Sequence, residues 1–355
     1  MAQKLKAAVI GVGGISKEHI QSYLKNENVE LYAFCDINEH QLKKRGEQFG
    51  ITRLYTDAQT MLSELKEIDI VSVCTWNSAH APCAIAALNA GKHVLCEKPM
   101  ALNAAQALEM QKAAEKNGKL LMIGFVRRFG NDCRVLKEFS DAGFFGEFYY
   151  AKATYLRRNG NPGGWFGDKS RSGGGPLIDL GVHVIDLTRY LMGNHKPVSV
   201  YGATYQKLFN RPGIKGSKGY LSVSAGGDDI CDVEDLAAAM IRYDNGAMLT
   251  VETAFSLNIK HDRGEIELFG DKGGALINPD VHLFSEQNGY LVNTDFDIRT
   301  SLDFSGLFAN EINHFVDCVL TGAPCKSPAK DGVDIMRILD AVYESARTGH
   351  EVVLK

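Results

Sequence analysis

The first third of the chain alternates short apolar runs with amphipathic segments of helix length. Strands are predicted at 5–10, 29–35, 68–75, 92–96 and 120–125. Helices are predicted between them, at 16–25, 39–49, 82–90 and 103–117. Strands separated by helices require right-handed parallel crossovers, so this pattern predicts a doubly wound parallel sheet of the Rossmann type, covered on both faces.

After residue 125 the rhythm changes to longer β-type runs. They lie at 147–156, 198–208, 236–243, 247–256 and 265–269. The sequence Asp244-Asn245-Gly246 between two of these runs is a strong hairpin signal. We therefore expect a second domain with a largely antiparallel open sheet and helices on one side.

The predicted organisation is an α/β chain of two domains. Residues 1–125 form the Rossmann domain, and residues 126–355 form an α+β domain for substrate binding and oligomerisation. The length of 355 residues is consistent with two cores. A stretch rich in glycine, proline and serine at 210–227 predicts a long loop that contacts a substrate or another subunit.

Charge and composition narrow the class of protein. The formal net charge is −4, and like charges form no run that would follow a nucleic acid or an anionic bilayer. No apolar stretch approaches the roughly 20 residues of a membrane span, and the first residues do not resemble a signal peptide. The eight cysteines lie mostly in apolar runs without a C-x-x-C pair. We expect a cytoplasmic protein with buried thiols, without a metal, a nucleic-acid partner or a membrane partner.

A glycine-rich turn follows the first predicted strand and opens the first helix. It reads Gly11-Val12-Gly13-Gly14-Ile15-Ser16, with Ser16 in place of the third glycine of a dinucleotide fingerprint. Gly11 permits the tight turn, and Gly13 lets a pyrophosphate approach the backbone. The helix N-terminus offers unpaired N–H groups to that pyrophosphate. Asp36, at the end of the second strand, can accept hydrogen bonds from the adenosine ribose and repel a 2′-phosphate, so the cofactor predicted is NAD.

Two further clusters indicate an enzyme. Glu97-Lys98-Pro99 follows a predicted strand at the edge of the sheet where α/β proteins bind ligands. Lys98 there can stabilise the oxyanion that forms when a hydroxyl loses its proton, although an exposed loop lysine is an alternative interpretation. Asp179, His183 and Asp186 share one face of an otherwise apolar segment. Asp179 can orient His183 as a general base; a satisfied core histidine is the alternative.

Together these motifs resemble the glucose-fructose oxidoreductase / inositol dehydrogenase (Gfo/Idh/MocA) family. The likeness covers essentially the whole chain. It includes residues 75–80 and 124–129, the sequence Asp232-Val233-Glu234-Asp235, the 244–246 hairpin and residues 344–349. Trp76 departs from the proline that many relatives carry.

The resemblance implies roles for individual residues. Lys98, Asp179 and His183 would be catalytic. The cofactor would be bound by Gly11, Gly13, Gly14, Ile15, Asp36, Thr75, Asn77, His80, Glu97, Lys98, Arg127 and Trp165. The substrate would contact Lys98, Arg157, Trp165, Lys169, Asp179 and His183, although Arg157 and Lys169 are equally consistent with ordinary loop residues. The family also implies a homodimer or homotetramer built through the open sheet.

The expected reaction is oxidation of a secondary ring hydroxyl of a sugar, sugar glycoside or cyclitol to a ketone, with hydride transfer to NAD. An alternative is a sugar-processing enzyme in which NAD stays bound and is recycled. A further alternative is a sugar and NAD sensor that does not turn over. The intact Lys98, Asp179 and His183 favour an enzyme.

Overall fold

A computed structural model of the protein describes residues 4–208, 211, 214–215, 219–226 and 229–354. The long loop predicted at 210–227 therefore lies partly outside the described residues. The chain divides into two compact units: Met1–Val126 with Phe308–Met336, and Arg127–Leu307 with Arg337–Lys355. The domain boundary predicted at residue 125 stays a prediction; the compact units differ from it in assigning 308–336 to the first unit. Within the described part of the chain, no helix combines the length and apolarity needed to cross a membrane.

The first unit is built on a parallel sheet of six strands. In chain order the strands are β1 (Leu5–Ile10), β2 (Val29–Cys35), β3 (Leu54–Tyr55), β4 (Ile70–Val73), β5 (His93–Glu97) and β6 (Leu121–Gly124). They are arranged in the order β3-β2-β1-β4-β5-β6, which reverses between β1 and β4. This order confirms the predicted Rossmann sheet and places a ligand-binding crevice at the carboxyl ends of β1 and β4.

Helices separate these strands. They are α1 (Ser16–Lys25), α2 (Glu39–Phe49), α3 (Ala58–Glu64), α4 (Asn77–Asn89) and α5 (Ala104–Asn117). The predicted helix at 82–90 in fact begins at Asn77, so Pro82 lies inside it rather than at its start. The short β3 and α3 were not predicted, because two and seven residues are too few to establish a period.

The second unit is built on a sheet of nine strands. They are β7 (Phe148–Leu156), β8 (Pro197–Tyr205), β9 (Leu236–Tyr243), β10 (Met248–Ala254), β11 (Arg263–Gly270), β12 (Gly273–Ile277), β13 (Val281–Gln287), β14 (Tyr290–Thr294) and β15 (Val352–Val353). Only the β7–β10 pair is parallel within this described sheet, which confirms the predicted, largely antiparallel architecture. The 244–246 hairpin joins β9 to β10 as expected.

Helices pack on one face of this sheet. They include α6 (Asn131–Asp141), which contacts β13, and α8 (Val182–Leu191), which contacts β7 and β11. The short helix α7 (Lys169–Ser172) lies between β7 and α8 along the chain. On β7 the side chains of Ala151 and Ala153 are buried, while Lys152 between them is exposed. The sheet therefore has one packed and one open face.

Two long helices close the chain and were not predicted. They are α9 (Phe304–Thr321) and α10 (Ala329–Thr348). Three apolar side chains of α9 are fully buried in the first unit: Ile312, Phe315 and Val316. The apolar face of α9 therefore belongs to the core of the first unit, although α9 follows the nine-stranded sheet along the chain.

Candidate active site

The glycine-rich turn between β1 and α1 has the geometry that a dinucleotide requires. Gly11 has a φ of +85°, and a Cβ on it would lie 2.7 Å from the backbone of Cys74 and Thr75. A Cβ on Gly13 would meet no protein atom within 4 Å. Gly11 must therefore be glycine for the fold itself, whereas the space beside Gly13 is open to a ligand.

The start of α1 explains why Ser16 replaces the third glycine. Its side chain is fully buried, and its Oγ donates a hydrogen bond of 2.9 Å to the carbonyl of Gly13. The hydroxyl therefore stabilises the turn from within. Gly14 and Ile15 are exposed, and no side chain caps the N-terminus of α1. The N–H groups of Lys17 and Glu18 bond to the carbonyls of Gly14 and Ile15, so the exposed turn before them is the part of this N-terminus that fits the pyrophosphate of the predicted NAD.

Asp36 stands directly after β2, beside this turn. Its Oδ2 accepts from the backbone N–H of Val12 at 2.8 Å, and its Oδ1 accepts from that of Asn38 at 2.8 Å. The carboxylate is half-buried and retains lone pairs for ribose hydroxyls. Buried Arg45 of α2 donates to the carbonyls of Val12 and Gly13 at 3.1 and 3.3 Å. Sequence reasoning missed Arg45, whose role depends on a contact between distant segments.

The segment after β4 contains Thr75, Asn77 and His80. Thr75 is half-buried, and Asn77, the first residue of α4, is buried. His80 is almost fully buried, with its Nδ1 2.7 Å from the carbonyl of Pro99 and its Nε2 3.1 Å from that of Thr75. Burial lowers the pKa of His80, against the effect of these two bonds. The ring thus ties together the segments that follow β4 and β5.

Glu97 and Lys98 lie at the end of β5. Glu97 is buried, and its Oε1 lies 2.8 Å from Nε2 of the buried His19, while its Oε2 accepts from the backbone N–H of Lys98 at 3.2 Å. Lys98 is half-buried between two buried neighbours, Glu97 and Pro99. In the first unit, the predicted cofactor residues thus gather at the carboxyl ends of β1, β2, β4 and β5.

In the second unit, Asp179 lies on a single turn of π-helix, Leu177–Gly181, which runs directly into α8. The side chains from Leu177 to Arg189 are buried except those of Asp179 and His183, which are half-buried. These two side chains therefore lie at the accessible points of an otherwise enclosed helix. Single π-helical turns are frequent at functional sites.

Asp186, the third polar residue of this segment, has a different environment. It is buried, and its carboxylate forms a bidentate ion pair with the buried Arg128, at 2.6 and 3.0 Å. The pair ties α8 to the segment that precedes α6. Asp186 is therefore a structural residue, in contrast to the more accessible Asp179 and His183.

A glutamate that sequence reasoning did not assign fixes the start of the π-helical turn. Oε2 of Glu234 accepts from the N–H of Gly175 at 2.9 Å, and Oε1 accepts from the N–H of Leu177 at 3.2 Å. The hydroxyl of Tyr343 donates to the same Oε1 at 2.9 Å. Burial raises the pKa of Glu234, and these hydrogen bonds oppose the rise. The family landmark 232–235 thus has a positioning role for the segment that carries Asp179.

The other predicted residues of the second unit lie on short helical segments or, for Arg157, directly after β7. Arg127 pairs with the buried Asp132 at 2.7 Å. Arg157 donates from Nη1 to the carbonyl of Gly160 at 3.0 Å. Trp165 stacks on Phe166 with ring centroids 4.0 Å apart, and both rings are half-buried. Lys169 is exposed at the start of α7.

The fold and the glycine-rich turn define an NAD-binding oxidoreductase with a Rossmann domain. Residues 5–125 match the model of the oxidoreductase family with an NAD-binding Rossmann fold. Residues 137–354 match that family's C-terminal α/β domain. The chain belongs to the Gfo/Idh/MocA oxidoreductase family, as the motifs predicted.

Relatives extend along the whole chain. The chain is 35% identical to D-glucoside 3-dehydrogenase of Escherichia coli, over 99% of this chain and 97% of that protein. It is 28% identical to myo-inositol 2-dehydrogenase of Thermotoga maritima, over 76% and 74%. Among solved structures, aldose-aldose oxidoreductase from Caulobacter crescentus, complexed with glycerol, aligns with a TM-score of 0.80 at 27% identity, over 99% and 100%.

Proposed function

We propose that this protein is an NAD-dependent dehydrogenase that oxidises a secondary ring hydroxyl of a sugar, a sugar glycoside or a cyclitol to a ketone. The observation that carries this proposal is the half-buried Asp179 and His183 on an otherwise buried helix. A core histidine would be enclosed with its neighbours, whereas a general base must reach its substrate. The relatives named above, which are a glucoside and an inositol dehydrogenase, support the substrate class.

In the proposed mechanism, His183 accepts the proton of the substrate hydroxyl. Asp179 orients the imidazole and stabilises its positive charge as the proton arrives. The ammonium group of Lys98 donates a hydrogen bond to the same substrate oxygen and stabilises its developing negative charge. Loss of this proton and of a hydride from the carbinol carbon converts the alcohol to a ketone; NAD, when bound, supplies the hydride acceptor.

Substrate recognition is proposed for the segments between β7 and α8 of the second unit. The stacked rings of Trp165 and Phe166 present aromatic surface that suits the apolar face of a sugar ring. Arg157 and Lys169 supply hydrogen-bond donors for hydroxyl groups.

We further propose a homodimer or homotetramer built through the open face of the nine-stranded sheet. Tyr201 and Met240 on neighbouring strands of this face are 48% and 44% exposed, which is unusual for large apolar side chains on a sheet. Light scattering of the purified protein gives the number of subunits. Substitution of both residues by lysine is expected to produce monomers.

A second candidate is a sugar-processing enzyme that retains its NAD and recycles it. The likeness to an aldose-aldose oxidoreductase favours this alternative.

The experiment that distinguishes the two candidates measures NADH absorbance with purified protein, added NAD and a panel of inositols, free hexoses and glycosides. Denatured protein is assayed in parallel for released cofactor. Stoichiometric, continuing NADH formation supports the dehydrogenase; tightly bound NAD with sugar turnover and no net NADH supports recycling. Cofactor and sugar binding without turnover would contradict both.

A further inference from the structure

Three titratable side chains from distant parts of the chain meet in the interior of the first unit. His19 comes from α1, Glu97 from the end of β5 and Glu311 from α9, and one nitrogen or oxygen of each lies within 4.8 Å of the others. Their exposed fractions are 0%, 6% and 0%. Buried groups of this kind must be hydrogen-bonded, and any charge on them must be paired or neutralised.

A chain of hydrogen bonds accounts for His19. The hydroxyl of Tyr23 lies 2.8 Å from Ser72 Oγ, and Ser72 Oγ lies 3.1 Å from His19 Nδ1. Burial raises the pKa of Tyr23, so its hydroxyl keeps its proton. The pKa of Glu97 is lowered, so its carboxylate is ionised and can only accept a hydrogen bond. His19 Nε2 therefore donates to Glu97 Oε1, at 2.8 Å.

Glu97 is the acceptor at the end of this chain. One oxygen accepts from His19, and the other accepts from the backbone N–H of Lys98. Burial alone would raise the pKa of Glu97, but the hydrogen bond and the charge of His19, together with the nearby charge of Lys98, outweigh burial and lower that pKa. Glu97 is thus an ionised carboxylate that holds the backbone of the predicted catalytic lysine.

Glu311 is the anomaly of the cluster. Among the residues that the structure describes, neither of its two carboxyl oxygens has a hydrogen-bond partner, although both are buried. An unpaired carboxylate at such a position would be very costly. The groups that face it are His19 and Tyr23 from α1, Cys74 after β4 and Glu97 from β5. Burial, and next the negative charge of Glu97, raise the pKa of Glu311 well above its ordinary range.

We propose that Glu311 is a buried carboxylic acid that keeps its proton and donates a hydrogen bond to one buried water, which in turn donates to Glu97. Two oxygens up to 4.8 Å apart are within the span of a single bridging water with hydrogen bonds of about 2.8 Å. A neutral acid donates through this water to Glu97 without adding a second negative charge. Glu311 is then a positioning residue for the turn that carries Glu97 and Lys98. This role rests on the proposed function, in which Lys98 acts in catalysis.

Two substitutions separate donation from packing. Glu311→Gln keeps the shape and an N–H donor, whereas Glu311→Leu fills similar space without a donor. Asp317→Asn makes the same carboxyl-to-amide change on the exposed side of α9 and is the matched control. Metal analysis of the wild type is included, because a histidine and two glutamates also suit a divalent cation.

The first measurement does not depend on activity. The difference infrared spectrum of wild type against Glu311→Gln at neutral pH is expected to show the C=O band of a protonated carboxylic acid. The Asp317→Asn difference is expected to show carboxylate bands only. Carboxylate bands for Glu311, or one equivalent of bound metal that both Glu311 variants lose, would overturn the proposal.

The same protonation state predicts a pH effect on stability. The folded-state pKa of Glu311 exceeds the unfolded value of about 4.3. The folded protein therefore binds a proton that the unfolded chain releases as pH rises above this value. The free energy of unfolding of the wild type is then expected to fall, relative to Glu311→Gln, as pH rises above about 4.3. A constant difference between the two proteins would overturn the proposal.

The kinetic readout tests the positioning role. We expect Glu311→Gln to keep kcat/KM within about twofold, and Glu311→Leu to lose about tenfold or more while its acid limb moves to higher pH, because Glu97 loses a donor. Equal losses in both variants, or no loss in either, would overturn that role. If the wild type turns over no sugar, the proposed function fails, but the infrared and stability measurements still show whether Glu311 carries a proton. These two measurements use Glu311→Gln, so they remain valid if Glu311→Leu does not fold.

Discussion

Asp36 Oδ2 accepts a hydrogen bond of 2.8 Å from the backbone N–H of Val12, so the acid after β2 is joined directly to the glycine-rich turn after β1. Substitution Asp36→Ala removes this bond and the acceptor proposed for the adenosine ribose. We expect KM for NAD to rise about ten- to a hundredfold, and the preference for NAD over NADP to fall, because repulsion of a 2′-phosphate is lost.

The measurement is kcat/KM with each cofactor. Asp57→Ala is the control: this exposed acid caps α3, so its loss affects stability and not the choice of cofactor. An unchanged ratio of NAD to NADP activity in Asp36→Ala would show that Asp36 does not contact the ribose.

Gly13 tests whether the open space beside the turn holds the pyrophosphate. Gly13→Ala places a methyl group where no protein atom lies within 4 Å, so the melting temperature should change little. NAD affinity should nevertheless fall about tenfold or more, because the methyl group occupies the space of the ligand. Titration of NAD by calorimetry checks this. Gly264→Ala is equally unhindered within β11 and should alter neither property; loss of stability without loss of affinity in Gly13→Ala would refute the assignment.

The bond from Tyr343 to Glu234 predicts a pH dependence of stability. Because burial raises the folded-state pKa of Glu234, the free energy of unfolding falls as pH rises from about 4.3 to that pKa, by at most about 1.4 kcal/mol per pH unit. Tyr343→Phe removes a donor that stabilises the carboxylate, so the pKa rises further and the fall continues to higher pH.

Urea denaturation at a series of pH values measures this change. The exposed Tyr290, substituted by phenylalanine, serves as the control in the same unit. We also expect kcat to fall in Tyr343→Phe, since Glu234 fixes the turn before Asp179. Identical pH profiles for Tyr343→Phe and the wild type would contradict the role given to this bond.

The parallel sheet and its nucleotide turn were predictable because their signals are local. The strands at 5–10 and 29–35 and the helices at 16–25 and 39–49 have the predicted bounds. Each of these elements has one regular spacing of apolar residues and is bounded by glycine or polar turn residues. The turn at 11–16 lies between such elements, so its chemistry could be inferred from spacing alone.

The supporting residues could not be predicted, because their roles arise from contacts between distant segments. His19 bonds to Glu97, 78 positions later, and Glu234 bonds to Gly175, 59 positions earlier. In the sequence, His19 is one polar residue of an amphipathic helix. Glu311 lies on α9, a helix that was not predicted, and its burial follows only from the return of 308–336 to the first unit.

The most direct test of the central claim compares His183→Ala with His195→Ala in NADH formation on the best substrate of the panel. His195 is another half-buried histidine of the same unit, paired with Asp244 at 3.3 Å. The account predicts that His183→Ala binds NAD as the wild type does but loses about 10²- to 10⁴-fold in kcat, while His195→Ala keeps its activity. Activity in His183→Ala within a few-fold of the wild type would contradict the assignment of His183 as the general base.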